Sequence, residues 1–138
     1  MSEVVRFGVS LDKNLLGRFD RHLKEKKYSN RSEALRDLIR EALVREEWVK
    51  GKEVAGAVTL VYNHHRRELV NKLADIQHDF SELIVSSQHV HLDADDCLEI
   101  IAVRGEAKRI KLLADKMKAT KGVKHGTLTM ATTGKELT

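Results

Sequence analysis

The sequence predicts an α+β fold in two units, a strand–helix–helix (βαα) unit followed by a βαββαβ unit, and three observations predict it. Residues 5–11 alternate apolar with polar, the next two segments carry apolar residues at helical spacing, and strand-like and helix-like patterns interleave beyond residue 53. The size agrees, because 138 residues with 41% apolar content hold one ordinary domain or two small ones. The charged stretch "EEWVKGKE", which contains Gly51, separates the two rhythms. Expected boundaries are residues 1–47 for the first unit, 48–53 for a linker and 54–138 for the second.

In the first unit, "VVRFGVSLD" sets Val5, Phe7, Val9 and Leu11 on one face of a strand and Arg6, Gly8 and Ser10 on the other. A helix follows with Leu15, Leu16, Phe19 and Leu23 at helical spacing. "YSNRSEALRDLIREAL" then opens with Asn30 and, three residues on, Glu33, which is a capping arrangement, and continues with Leu35, Leu38, Ile39 and Leu43 on one stripe. One strand and two short helices cannot close a core, so this unit should need a second copy of itself. Two such strands paired antiparallel would bury Phe7 and Val9 and present Arg6, Gly8 and Ser10 twice on a ribbon that fits the major groove of DNA. The helix start at Asn30, Arg31 and Ser32 can hold phosphate. Charge points mildly the same way: the chain is +4, and residues 1–50 carry 12 Lys and Arg against 9 Asp and Glu, which places +3 there and +1 in the remainder. The plainer alternative is a helical hairpin whose strand closes a protein interface.

In the second unit, "VAGAVTLVYN" reads as a strand, "RRELVNKLADIQHDFSE" as a helix, and "LIVSSQHVHLD" and "CLEIIAVRGE" as strands joined by the turn "ADD". The helix "AKRIKLLADKMKA" and the strand "GVKHGTLTMAT" complete a ferredoxin-like plan, two helices over one face of a four-stranded antiparallel sheet. Trp48 is expected to pack where the units meet, and "KEKK" at 24–27 reads as a solvated helix end.

The chemistry gathers at "SSQHVHLDADDCLEI". Strand side chains alternate, so His89 and His91 share a face about 7 Å apart, and Cys97, the chain's single cysteine, opens the neighbouring strand across a short turn. Each residue alone would read as ordinary surface or core; together, with matching pleat parity, they read as metal ligands. His78 lies off the buried stripe of its helix (Leu69, Leu73, Ile76, Phe80), so it faces outward and would join such a site from another subunit. Three imidazoles and a thiolate suit zinc, copper(II) or nickel(II). Affinity should fall as pH drops through the histidine range near ~6.5. Glu99, on the face of Cys97, can orient a ligating imidazole. His22, His64, His65 and His125 have no comparable pattern and read as surface or supporting residues.

Several classes recede. No apolar run approaches a membrane span, no charged and apolar leader opens the chain, and a lone cysteine makes no internal disulfide, so a cytoplasmic protein without membrane contact is expected. There is no glycine-rich phosphate loop. A metallohydrolase would need an open coordination position, which four protein ligands leave unavailable to water.

The combination "RFGVSLD", "YSNRSEALRDLIREAL" and "HVHLDADDCLEI" closely resembles the nickel-responsive transcriptional regulators, the NikR family, over nearly the whole chain. The resemblance implies an N-terminal ribbon-helix-helix domain, a C-terminal domain of the ACT type, and a homotetramer built as a dimer of dimers. It implies square-planar Ni2+, one per subunit, held by His89, His91 and Cys97 of one subunit and His78 of another, and metal-loaded repression of nickel-uptake genes on a double-stranded DNA operator. It further implies base reading from the positions of Arg6, Gly8 and Ser10 and a second cation site at Glu33 and Asp37. Related members carry a hydroxyl side chain where this chain has Gly8, so the operator sequence does not carry over. The alternative reading is a ribbon-helix-helix regulator that senses another metal, or a small-molecule or protein signal, through its ACT-like domain.

Overall fold

The computed structural model describes residues 3–137. The chain divides into two compact units, one reaching to Leu43 and the other spanning Val44–Lys135.

The first unit is built on two helices, α1 (Lys13–Glu25) and the greater part of α2 (Arg31–Val49). Asp12 starts α1 by accepting the Asn14 amide at 2.8 Å, and Asn30 starts α2 by accepting the Glu33 amide at 2.9 Å. The two are among the four N–H groups that a helix start leaves without partners. Between the helices Lys27 turns the chain at φ 62°. A bidentate Arg31–Asp20 pair, both contacts at 2.9 Å, ties the start of α2 to α1.

Among the described apolar side chains of this unit only Leu23 and Ala34 are buried, whereas Val5, Phe7, Val9, Leu11, Leu15, Leu38, Ile39 and Leu43 are all exposed. The expected strand is also absent: residues 3–12 make no ladder. The cause is the one the sequence anticipates, because a strand's N–H and C=O groups pair only with another strand and this unit has one. The alternating pattern is present, but the described residues of this unit offer no second strand to pair with it.

The second unit holds β1 (Glu53–Asn63), α3 (Arg67–Asp79), a 3₁₀ turn (Ser81–Leu83), β2 (Ile84–His91), β3 (Asp96–Glu106), α4 (Ala107–Lys118) and β4 (Val123–Met130). The sheet order is β2-β3-β1-β4 with every neighbouring pair antiparallel, the ferredoxin-like arrangement. The side chains of Val54, Val58, Leu60 and Tyr62 on β1, and of Cys97, Ile101 and Val103 on β3, point to one face and pack with Leu69 and Leu73 of α3 and Ile110, Leu113, Ala114 and Met117 of α4. The opposite face offers Ala57, Val61, Val90, Leu98 and Ile100, all partly open.

Two element boundaries differ from the sequence reading. The stretch expected as a linker is helical as far as Val49, since no breaker precedes Gly51 and the Trp48 indole is buried in this unit's core, where its Nε1 donates to the Ala131 carbonyl at 2.8 Å. The helix expected to continue to Glu82 stops at Asp79: Phe80 is only 5% exposed, and the chain turns there to bury it.

Candidate metal centre

Pairing of β2 with β3 sets Cys97 opposite His91 and Glu99 opposite His89. Directly opposed residues of an antiparallel pair share a face, so all four side chains lie on the helix-covered side. Their depth differs because β2 is an edge strand and β3 is an inner one. His89 and His91 are therefore exposed, whereas Cys97 is 1% and Glu99 is 2% exposed. A thiol inside and two imidazoles at the rim make a site open on one side.

Behind it lies a carboxylate fully engaged with neighbours. Glu99 Oε1 accepts the Tyr62 hydroxyl at 2.6 Å, and Oε2 accepts Gln77 Nε2 and Ser87 Oγ, each at 2.9 Å. His89 Nε2 stands 3.4 Å from the same Oε2. With Nε2 on the carboxylate's side, Nδ1 is the nitrogen of His89 that points away from Glu99. Burial pushes the Cys97 thiol up from its ordinary range; the Tyr62 hydroxyl opposes this, and the negative charges of Glu99 and Asp96 reinforce it. Burial first, and then the hydrogen bond to Glu99, hold the Tyr62 phenol far above its usual value.

His91 has a neighbour that the sequence did not disclose. The His64 ring stacks on it at 4.6 Å with a 5° interplanar angle, and His65 lies against His64 at 4.1 Å. His64 and His65 both turn Nε2 to the Ala94 carbonyl, at 3.1 and 2.7 Å. His78 stands exposed on α3 as the helical phase requires. Among the described residues no three His, Cys, Asp or Glu side chains are drawn together closely enough to hold a metal within one chain. The donor set still fits a borderline metal, since thiol and imidazoles share one face with a supporting carboxylate behind them.

In the first unit, Arg6, Gly8 and Ser10 are exposed, and Gly8 has open space where a side chain would stand. Ser32 is exposed beside the capped start of α2, and the Arg31 guanidinium is occupied by Asp20. Glu33 and Asp37, one helical turn apart, each receive an arginine: Arg36 at 3.3 Å and Arg40 at 3.1 Å. Asp37 also accepts the Tyr28 hydroxyl at 2.7 Å, which raises that phenol's pKa.

A helical unit that leaves its apolar stripe open, ahead of a ferredoxin-like domain with soft donors at one sheet edge, defines a class: a DNA-binding unit joined to a ligand-sensing domain. Residues 5–46 match the ribbon-helix-helix protein, copG family, and residues 55–131 match the NikR C-terminal nickel binding domain. The chain belongs to the nickel-responsive regulator family. It is 56% identical to a nickel-responsive regulator of Syntrophus aciditrophicus over 97% of this chain and 98% of that one. It is 60% identical to one of Chlorobium phaeobacteroides over 95% of this chain and 98% of that one, and 53% identical to one of Pyrococcus horikoshii over 98% and 99%. An uncharacterized protein of Thermotoga maritima shares the fold of 56% of this chain, at TM-score 0.51 and 16% identity, over 96% of its own length. These matches bear out the family resemblance, the two-domain α+β fold and a regulator rather than an enzyme. No helix among the described residues is long and apolar enough to cross a membrane.

Proposed function

We propose that this protein is a nickel-dependent DNA-binding repressor of nickel-uptake genes, acting in the cytoplasm as a dimer of dimers. The β2–β3 register that places Cys97 opposite His91 and Glu99 beside His89 carries this reading. His89, His91 and Cys97 of one subunit and His78 of another hold the ion, one per chain. What Ni2+ supplies when bound is a crosslink between donors of two subunits. Glu99 keeps the imidazole of His89 turned outward, Cys97 gives up its proton, and His78 commits α3 to a neighbouring subunit.

At the other end of the chain, paired N-terminal arms present Arg6, Gly8 and Ser10 to base edges. Asn30, Arg31 and Ser32 face the phosphates, Arg31 exchanging Asp20 for a phosphate oxygen, and Glu33 with Asp37 accepts a second cation. Arg6 in a bidentate contact would contribute ~1–3 kcal/mol of discrimination. A subunit arrangement favoured in the loaded state tightens DNA binding, and DNA tightens metal binding by the same factor, ~1–3 kcal/mol or about 5- to 150-fold. Fluorescence anisotropy on the DNA upstream of the protein's own gene and of nickel-transport genes tests this, with a metal-free and a nickel-loaded sample. Tight binding only when loaded is expected; equal binding by the metal-free protein would point to a different signal.

The raised pKa of Cys97 fixes a pH dependence. The thiol is protonated at neutrality in the metal-free protein and must ionise to bind, so one proton leaves with each ion taken up at that donor. Nickel affinity is expected to rise about tenfold per pH unit between about pH 7 and 8.5 through release of the thiol proton. Competition titrations with a chelator of known proton linkage measure the slope, and a flat profile over that interval would contradict ionisation of a buried thiol.

A further inference from the structure

We propose that residues 131–134, which follow β4, form a clasp that fixes the last turn of α2 to the second unit, with Thr132 as its positioning residue, and that DNA binding responds to nickel through this clasp. The inference rests on the nickel reading above. α2 is one helix from Arg31 to Val49, yet from Val44 onward it belongs to the second unit. There Trp48 Nε1 donates to the Ala131 carbonyl at 2.8 Å, the Thr132 hydroxyl donates to Glu47 Oε1 at 3.0 Å, and the Gly134 amide donates to Thr132 Oγ1 at 3.1 Å. Trp48 and Glu47 are both buried. Two consecutive residues of the helix thus hold two consecutive residues of the tail.

The sheet is shaped to receive this turn. The Ala131 amide donates to the Ala55 carbonyl of β1 at 2.9 Å, and a Cβ at Gly56 would lie 3.4 Å from the Trp48 ring and 2.6 Å from the Thr129 carbonyl of β4. Just beyond the helix, Gly51 turns at φ 73° and the Lys52 amide donates back to the Glu47 carbonyl at 3.1 Å, a closure that needs a left-handed residue. A buried carboxylate and a buried indole N–H are costly to leave unpaired, so the end of α2 must follow the β1–β4 edge. From the clasp at Ala55 and Gly56, β1 runs on to Tyr62, which pairs with Cys97. At its other end α2 starts at Asn30, Arg31 and Ser32, about 28 Å away along a stiff 19-residue helix. A shift of β1 when the thiolate takes its ligand is therefore delivered along α2 instead of being absorbed at a loose joint.

Trp48 is the chain's only tryptophan, so acrylamide quenching of its fluorescence reads the clasp directly. Thr132→Val removes the hydroxyl at nearly constant shape, Thr132→Glu sets a second carboxylate against Glu47, and Thr132→Ser keeps the donor. Each full-length variant is measured for quenching, for nickel affinity at the thiolate bands, and for DNA affinity with and without nickel on the DNA named above. Expected of Thr132→Val and Thr132→Glu are nickel affinity equal to the wild type's, a Trp48 open to quencher, and a loss of about 5-fold or more of the gain in DNA affinity that nickel confers. Thr132→Ser should keep both. An undiminished gain in a variant whose Trp48 is open overturns the signalling role, and a Trp48 still shielded in Thr132→Glu overturns the clasp. A matching loss of nickel affinity in Thr132→Val would reduce Thr132 to a structural role and overturn the inference as well. A wild type whose DNA affinity ignores nickel would instead overturn the nickel reading itself.

Discussion

Replacing Cys97 with alanine is expected to abolish the thiolate-to-nickel absorption bands and the nickel dependence of DNA binding while leaving the fold and the assembly intact. Cys97 is the only thiol in the chain, so no other residue can supply the charge-transfer bands. It is also the only donor of the set that is buried, and its two opposed neighbours, His91 and Tyr62, bracket it from both adjacent strands. Changing a residue that merely supports a ligand costs about 10–100-fold in metal affinity, so losing the thiolate itself should exceed about 100-fold. The structural cost is small by comparison, since the sulfur is one atom in a core that also contains Leu60, Ile101 and Leu73, and about 1–2 kcal/mol is expected. A nickel titration followed at the thiolate bands, beside a thermal melt of the same sample, separates the two effects. Bands that persist in the variant would return Cys97 to a packing role and leave the regulator's signal open.

Leu38→Lys should have the other large effect, in the first unit. Leu38 is 43% exposed in the single chain, beside Ile39 at 48%, with Phe7 at 71% and Val9 at 58% in the arm. Such a side chain gains about 1.5–3 kcal/mol when fully buried, and a unit whose described residues bury only Leu23 and Ala34 has little else to stabilise it. A charge in this open apolar stripe is expected to prevent the pairing of two copies proposed above. DNA binding should then be lost with or without nickel, and the helical signal from α1 and α2 should fall. The second unit has its own core and should still fold and take up nickel. Sedimentation, circular dichroism and the same nickel titration check the three parts, and intact DNA binding by this variant would mean that the open stripe is not the pairing surface.

The candidate site was partly legible before any coordinates, for reasons visible in particular residues. A two-residue period puts His89 and His91 on one face of any strand they join, and the short turn after them leaves Cys97 few positions other than opposite His91. The outward turn of His78 follows in the same way from the spacing of Leu69, Leu73 and Ile76. Asn30 caps its helix because the carbonyl of its side chain reaches an amide three residues away, a contact that is entirely local.

Tyr62, Gln77, Ser87 and His64 were not legible. Each matters because of a partner 12 to 37 residues away, as with Ser87 and Tyr62 on Glu99. His64 was set aside for lack of a pattern, and only the fold brings its ring against His91. Pleat parity would have placed Tyr62 on the correct face of its strand; it could not have supplied the register against β3 that brings the hydroxyl to Glu99.

The sequence by itself determined the order of elements in the second unit, the faces on which the imidazoles lie, and the apolar stripe that the first unit leaves open, because these follow from periodicity and local hydrogen bonding. Only the tertiary structure decided how deep each donor sits and what holds it. Cys97 and Glu99 are buried, and the histidines stay at the rim, because β3 is enclosed between β1 and β2 while β2 remains an edge. Strand order is a property of long-range pairing and core packing, which no stretch of the sequence specifies alone.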